Sequence, residues 1–175
     1  MVLHILKKKN VNIVCLQDMH LIEDDVKSIK QIWNDKGYIS GKRTNSRGVA
    51  ILLNNNFEYK IMSCKIDENG NYISLLLNLN SITLNLITLY DNNDCPSFYE
   101  EISSMVQNQN ADYTLICGDF NVALNNEMDT YNYKRINNPR AKQAILDLMR
   151  DNDLFDIYRY FTPLQRDSRG EEKIP

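Results

Sequence analysis

The chain has 175 residues, 43% of them hydrophobic and 25% charged, with a formal net charge of −3. That is enough for one substantial core, the apolar runs Ile73 to Leu79 and Ile82 to Leu89 fall well short of a bilayer span, and the mixed charge excludes the sequence-wide basic footprint of a passive nucleic-acid binder. The opening Met-Val-Leu-His-Ile-Leu-Lys-Lys-Lys places its positive charge after the apolar stretch, the reverse of a secretory signal, so a cytosolic or nuclear protein, not secreted and not membrane-bound, is expected.

Leu3 to Lys9 reads as a helix end feeding Val11 to Gln17, a short β-branched run expected to be a buried strand. Asp24 to Lys36 spaces Val26, Ile29, Ile32 and Trp33 helically, with acids in the first turn and Gly37 as the expected stop. Gly41 to Gly48 reads as a loop. Strands are expected over Gly48 to Leu53, Phe57 to Ile66, Tyr72 to Leu79 and Ile82 to Tyr90, with Asn69-Gly70-Asn71 a hairpin signal and Asn80-Ser81 a turn, which makes an antiparallel meander. A second helix begins near Pro96, with Ser97 and Glu100 at capping-box spacing and Phe98, Ile102, Met105 and Val106 on one face. Tyr113 to Cys117 is expected to be a short buried strand ending at Gly118-Asp119. The last expected helix takes Asn138 as its cap and Pro139 as its first residue, with Ala141, Ala144, Ile145, Leu148 and Met149 inward, and the tail from Thr162 to Pro175 reads as polar and frayed. Antiparallel strands mixed with crossovers suggest a layered α/β sandwich.

Cys15, Cys64, Cys95 and Cys117 are scattered with no C-x-x-C pair, so reduced, buried thiols are expected rather than a zinc site or disulfides. Three strand ends stop at polar groups that a buried strand does not need: Gln17-Asp18-Met19-His20, Tyr90, and Gly118-Asp119-Phe120-Asn121. Ligands gather at such ends in α/β architectures, and separate carboxylates converging there suit a hard divalent cation. Asp119 and Asn121 are two apart, so an extended backbone would point both to one side. A carboxylate to bind or deprotonate a water beside an amide to orient it is a plausible chemical unit, although a turn after a strand uses the same residues. Asp18 can equally cap a following segment, His20 be a surface group, and Tyr90 an edge aromatic with its hydroxyl in water. Gly41 to Gly48 gathers Lys42, Arg43 and Arg47 among hydroxyl and amide donors, as phosphate contacts require; a solvated loop has the same composition.

Taken in order, Leu16 to His20, Ser46-Arg47-Gly48-Val49-Ala50-Ile51-Leu52, Thr88-Leu89-Tyr90 and Gly118 to Asn121 resemble the endonuclease domain of non-long-terminal-repeat retrotransposons. That domain is similar to apurinic/apyrimidinic endonucleases and deoxyribonuclease I, in the exonuclease–endonuclease–phosphatase superfamily. Leu154 to Arg159 looks like the family's Asp-x-Trp-Arg stretch. The resemblance implies a four-layered α/β sandwich of the deoxyribonuclease I-like type, incomplete at both termini. Residues 1–163 would form a partial domain and 164–175 a tail. It also implies a magnesium or manganese ion, DNA as partner, and fusion to a reverse transcriptase in a longer protein. Asp18 stands where the family has a metal-binding Glu, one methylene longer and so about 1.5 Å further reaching. Tyr90 matches the tyrosine that holds the scissile phosphate, Asp119 the acid that activates the water, and Asn121 the amide that stabilises the pentacovalent phosphate. The family's closing Ser-Asp-His has no counterpart, since His4 and His20 are the only histidines. Three readings follow: a DNA endonuclease weak or inactive in this chain, a non-catalytic retroelement remnant, and a phosphatase acting on another phosphate ester.

Overall fold

The computed structural model describes residues 2–20, 23–33, 36–42, 46–91, 94–129 and 138–162. The chain divides into two compact units, Met1–Asp91 with Gln109–Phe120, and Asn92–Asn108 with Asn121–Pro175. None of the described helices is long and apolar enough to cross a membrane.

The first unit carries α1 (Val2–Lys8), β1 (Ile13–Leu16), α2 (Glu23–Ile32), β2 (Gly37–Lys42), β3 (Ser46–Leu53), β4 (Lys60–Ile66), β5 (Tyr72–Leu79), β6 (Ile82–Tyr90) and β7 (Tyr113–Asp119). One sheet has the order β1-β3-β2 and the other β4-β5-β6-β7; every pairing is antiparallel except β6 with β7. The central strand β3 explains the layering. Its alternate residues Val49, Ile51 and Leu53 meet Ile73, Leu75, Leu77 and Leu86 of the second sheet. The residues between them, Ala50 and Leu52, meet Val14, Ile29 and Trp33 on the helical side. A strand apolar on both faces is buried on both faces, and each such Leu, Ile or Val contributes about 1.5–3 kcal/mol by leaving water.

Five expectations need correction. The strand β7 is not buried throughout: Tyr113 is 64% and Leu115 42% exposed. Gly37 does not stop a helix: α2 ends at Ile32 and Gly37 opens β2, whose Tyr38, Ile39 and Ser40 pair with Ile51, Ala50 and Val49. Glycines at positions 37 and 41 hide that strand's periodicity, and a register shift between Ser40 and Lys42 breaks it further. The strand at β4 starts at Lys60 rather than Phe57; Phe57 and Tyr59 instead stack with ring centroids 4.8 Å apart and pack onto the inter-sheet core. The cysteines are not fully buried, since Cys15 and Cys117 are half-buried and Cys64 and Cys95 exposed. The hairpin signal at Asn69-Gly70-Asn71 is met: Gly70 takes a φ of 86° in the β4–β5 turn, where Asp67 accepts the Asn71 N–H at 2.9 Å.

In the second unit α3 (Pro96–Asn108) packs against α5 (Pro139–Asp151) through Tyr99, Ile102 and Met105 on one side and Ala141, Ile145 and Leu148 on the other. Two short helices not expected from the sequence, α4 (Asn126–Asp129) and α6 (Ile157–Phe161), are joined by an Arg159–Asp129 ion pair. Asp156 accepts the Arg159 N–H at 3.1 Å and caps α6.

The fifth correction concerns Asn138. It precedes α5 as expected but sits in the left-handed region, at φ 50° and ψ 61°, and makes no side-chain cap bond. Asp94 takes over the capping, accepting the Ala141 N–H at 2.7 Å and the Arg140 Nε–H at 3.0 Å. Of the expected tail, Thr162 closes α6 by donating its N–H to Tyr158, and 163–175 lie outside the described residues.

Candidate active site

Three of the sequence-selected residues stand at the ends of neighbouring strands in the first unit. In the parallel β6–β7 pairing, Tyr90 stands opposite Asp119 and Thr88 opposite Cys117. Directly opposed residues project to the same face of a sheet, so Thr88, Tyr90, Cys117 and Asp119 share the face turned toward the first sheet. From that sheet the Gln17 amide donates to the Thr88 hydroxyl at 2.9 Å. Asp18 therefore follows the tethered Gln17 at the same strand ends as Tyr90 and Asp119.

Local backbone bonds hold each of these residues in place. Asp18 and His20 both take left-handed φ values, 52° and 44°, and the Met19 N–H between them donates to the Gly48 carbonyl at 3.2 Å. The tight excursion turns the His20 ring back onto Asp18, Nε2 to Oδ1 at 2.8 Å, with both side chains about half exposed. Tyr90 donates its N–H to the Asn71 carbonyl at 2.8 Å, and the Asp91 N–H donates to the Asp119 carbonyl at 3.0 Å. Gly118 is the residue that lets β7 come so close. A Cβ there would lie 2.0 Å from the Leu89 carbonyl oxygen, an approach that only glycine permits.

Behind the rim, Cys15 of β1 and Cys117 of β7 pack against the same inter-sheet cluster, and hydrogen bonding between the thiols and to Thr88 shifts both pKa values. The shared bond with Cys117, reinforced by burial, pushes the Cys15 thiol well above the usual thiol range. By donating that bond, Cys15 pulls Cys117 below it.

The other selected residues belong to the second unit or lie outside the described residues. Asn121 follows Asp119 by two residues but belongs to the second unit, where its carbonyl accepts from the Asn138 amide at 3.2 Å. The expectation of an extended Asp119–Asn121 segment fails: β7 ends at Asp119 and Asn121 takes a φ of 50°, so strand alternation does not relate the two side chains. Arg43 lies outside the described residues, as does the side chain of Arg47, whose backbone belongs to β3.

Gln17 and Thr88 stand in separate motifs, and nothing in the sequence signals that they bind each other. His20 is the surface group expected, with the added contact to Asp18, and Asp91, 5% exposed at the end of β6, is not signalled by the sequence. A polar residue directly after a strand-terminal tyrosine carries no local signal of burial.

Magnesium is commonly held by one or two carboxylates and keeps several of its waters. Among the described residues no group of three or more His, Cys, Asp or Glu side chains stands close enough to cage an ion. The donors at this rim therefore fit a largely hydrated ion on an exposed carboxylate such as Asp18, and do not fit an all-protein cage.

The sequence matches no family model. Solved structures do match. AP endonuclease LMAP from Leishmania major superposes with a TM-score of 0.71 at 15% identity, over 93% of this chain and 63% of that one. An AP endonuclease from Archaeoglobus fulgidus gives 0.68 at 17% identity, over 98% and 74%. The 3'-5' exonuclease NExo from Neisseria meningitidis gives 0.54 at 18%, over 84% and 67%. The chain thus spans less than two thirds of the Leishmania enzyme's length, and what it shares with these proteins is their fold, the deoxyribonuclease I-like α/β sandwich expected from the sequence.

Proposed function

We propose that residues 1–163 are the greater part of a divalent-metal-dependent phosphodiester hydrolase domain, a DNA endonuclease of retrotransposon type, working at the Asp18–Tyr90–Asp119 rim. The observation that carries this reading is the β6–β7 register that sets Tyr90 beside Asp119, joined to the Gln17–Thr88 bond that draws in the Asp18 turn. The fold shared with two AP endonucleases supports the reaction class. The Ser46 to Leu52 motif supports the retroelement branch, and with it DNA as substrate and a reverse transcriptase as fusion partner.

Asp18 would hold magnesium or manganese, which when bound supplies Lewis-acid stabilisation of charge on the phosphate. His20, in contact with Asp18, fixes the direction of that carboxylate. Asp119, exposed at the end of β7, takes a proton from the attacking water. The Tyr90 hydroxyl donates to a phosphate oxygen, and the Asn121 amide, assigned by its motif, donates to the developing negative charge. Arg43 and Arg47 contact the DNA backbone, so replacing them weakens binding evenly across sequences and flattens its salt dependence by about one unit per charge.

These 175 residues carry no histidine after His20, so the proton relay of the family's closing motif is absent from them. The expected result with supercoiled plasmid and magnesium is at most a trace of nicking, lost in Asp119→Ala, in Asn121→Ala and on chelation. Nicking that survives both substitutions would refute the site. Faster release of phosphate from a mononucleotide or lipid ester than from plasmid would favour the phosphatase reading. Manganese titration gives a readout independent of activity: the NMR signals of residues 17–20 should broaden first, and Asp18→Ala should remove the effect.

A further inference from the structure

We propose that β7 is a docking edge for a second copy of this chain, the two β7 strands pairing antiparallel about a two-fold axis so that one sheet runs through both copies. The last strand of a sheet turns half of its peptide N–H and C=O groups outward, a template for further pairing unless the edge is guarded. Three of the four edges among the described strands carry a guard. β1 is only four residues long, β2 is broken by a register shift between Ser40 and Lys42, and β4 has both a shift between Ile61 and Ser63 and two lysines, Lys60 and Lys65. β7 has none of these. Among the described strands it pairs with β6 alone, in unbroken register over Tyr113–Asp119, and it holds no Lys, no Pro and no charge before Asp119. It is also apolar where cover is missing. Tyr113 and Leu115 alternate onto the face that Cys117 packs into the inter-sheet cluster, yet both are exposed.

The strand is complementary to itself, which selects the occupant and its direction. Centred on Ile116, the antiparallel register sets Tyr113 opposite Asp119 and Leu115 opposite Cys117 of the second copy. The carboxylate that ends the strand then meets a phenol able to donate to it, and Leu115 gains an apolar neighbour. A parallel register would set Asp119 against Asp119, and like charges directly opposed repel. The contact is isologous and closes at two copies; with the other edges guarded, the assembly does not grow. A single strand pair buries less than a standard interface, so the dimer is weak and depends on concentration. It would bring Tyr113 of the second copy beside Asp119 and hold the two Asp119 residues roughly 20 Å apart along the shared strands.

Sedimentation velocity on the whole chain, from about 5 to about 300 µM, reads the mass; dithiothreitol keeps the exposed Cys64 and Cys95 from cross-linking copies. The expected result is a monomer at the low end and a dimer at the high end, with amide exchange at residues 113–117 slowing as the dimer forms and that at residues 60–66 unchanged. Tyr113→Lys and Leu115→Lys should each weaken the dimer by at least about tenfold, whereas Met62→Lys, at an exposed position on β4, leaves it intact. Tyr113 is the more exposed of the two β7 positions, so its variant decides, with a thermal midpoint matching the parent's as the check on folding. A chain that stays monomeric throughout, one that grows beyond two copies, or a dimer that withstands Tyr113→Lys or is lost in Met62→Lys would overturn the proposal.

Discussion

The Asn138 side-chain amide donates to the Asn121 backbone carbonyl at 3.2 Å, and both residues lie in the left-handed region of backbone space at φ 50°. The start of α5 thus ties down the segment that follows β7. Asn138→Ala removes the hydrogen bond and also puts into the left-handed region a residue that tolerates it less well than Asn, so a loss of about 1–2 kcal/mol is expected in urea unfolding. Asn138→Gly relaxes the backbone and isolates the hydrogen bond, with an expected loss of about 0.5–1.5 kcal/mol. A glycine variant as stable as the parent would mean that the tether contributes nothing.

Asp94 caps a helix that begins 45 residues later in the sequence, accepting the Ala141 N–H and the Arg140 guanidinium. The Ala141 N–H, seconded by Arg140, holds the Asp94 carboxyl below the usual carboxylate range. A folded-state pKa lowered in this way contributes stability that is present above the unfolded value, near 3.9, and lost as pH falls through the folded value. Asp94→Asn should therefore lower the thermal midpoint at pH 7, with a deficit that shrinks as pH falls below about 4. Midpoints measured from pH 7 to pH 2 would test it, and a deficit independent of pH would assign the effect to lost shape rather than lost charge.

Gly118 and Gly37 offer a controlled comparison. A β-carbon at Gly118 meets the Leu89 carbonyl oxygen at 2.0 Å, which is backbone and cannot step aside, whereas one at Gly37 meets only the end of the Leu52 side chain at 3.1 Å. Gly118→Ala should cost more than about 3 kcal/mol, and Gly37→Ala about 1 kcal/mol or less. Soluble yield and chemical denaturation distinguish them. Equal stabilities would show that β6 and β7 lie further apart at this point.

The parts of the fold legible in the sequence are those where one stretch of chain states its own burial. β3, β5 and β6 announce themselves by apolar runs that end at polar turns, and α5 by Ala141, Ile145 and Leu148 at helical spacing. β2 is hidden because Gly37 and Gly41 blank out its alternation, so only its pairing with β3 defines it. The Asn138 cap fails for a related reason: the better acceptor, Asp94, is local to α5 in space alone. At the rim, Asp18, Tyr90 and Asp119 can be picked out as polar strand ends. What gathers them, the Gln17–Thr88 bond and the β6–β7 register, spans long stretches of sequence and appears only when the sheets stack. Alternation predicted a shared side for Asp119 and Asn121, but it applies only while the backbone stays extended, and here it does not.

That inter-sheet bond between Gln17 and Thr88 can be measured directly. Thr88 is fully buried while Gln17 is only half-buried, so the two ends should respond differently to truncation. Thr88→Val keeps the shape but removes the hydroxyl, leaving the Gln17 amide to find water; Gln17→Met keeps the length but leaves the hydroxyl with the Cys15 and Cys117 thiols beside it. Each single substitution should cost about 0.5–1.5 kcal/mol, and the double variant less than their sum, with a coupling of similar size. The same cycle read by manganese-induced broadening at residues 17–20 asks whether the bond also sets the Asp18 turn. Additive stability losses and unchanged broadening in all three variants would show that the two sheets hold their rim together by apolar packing alone.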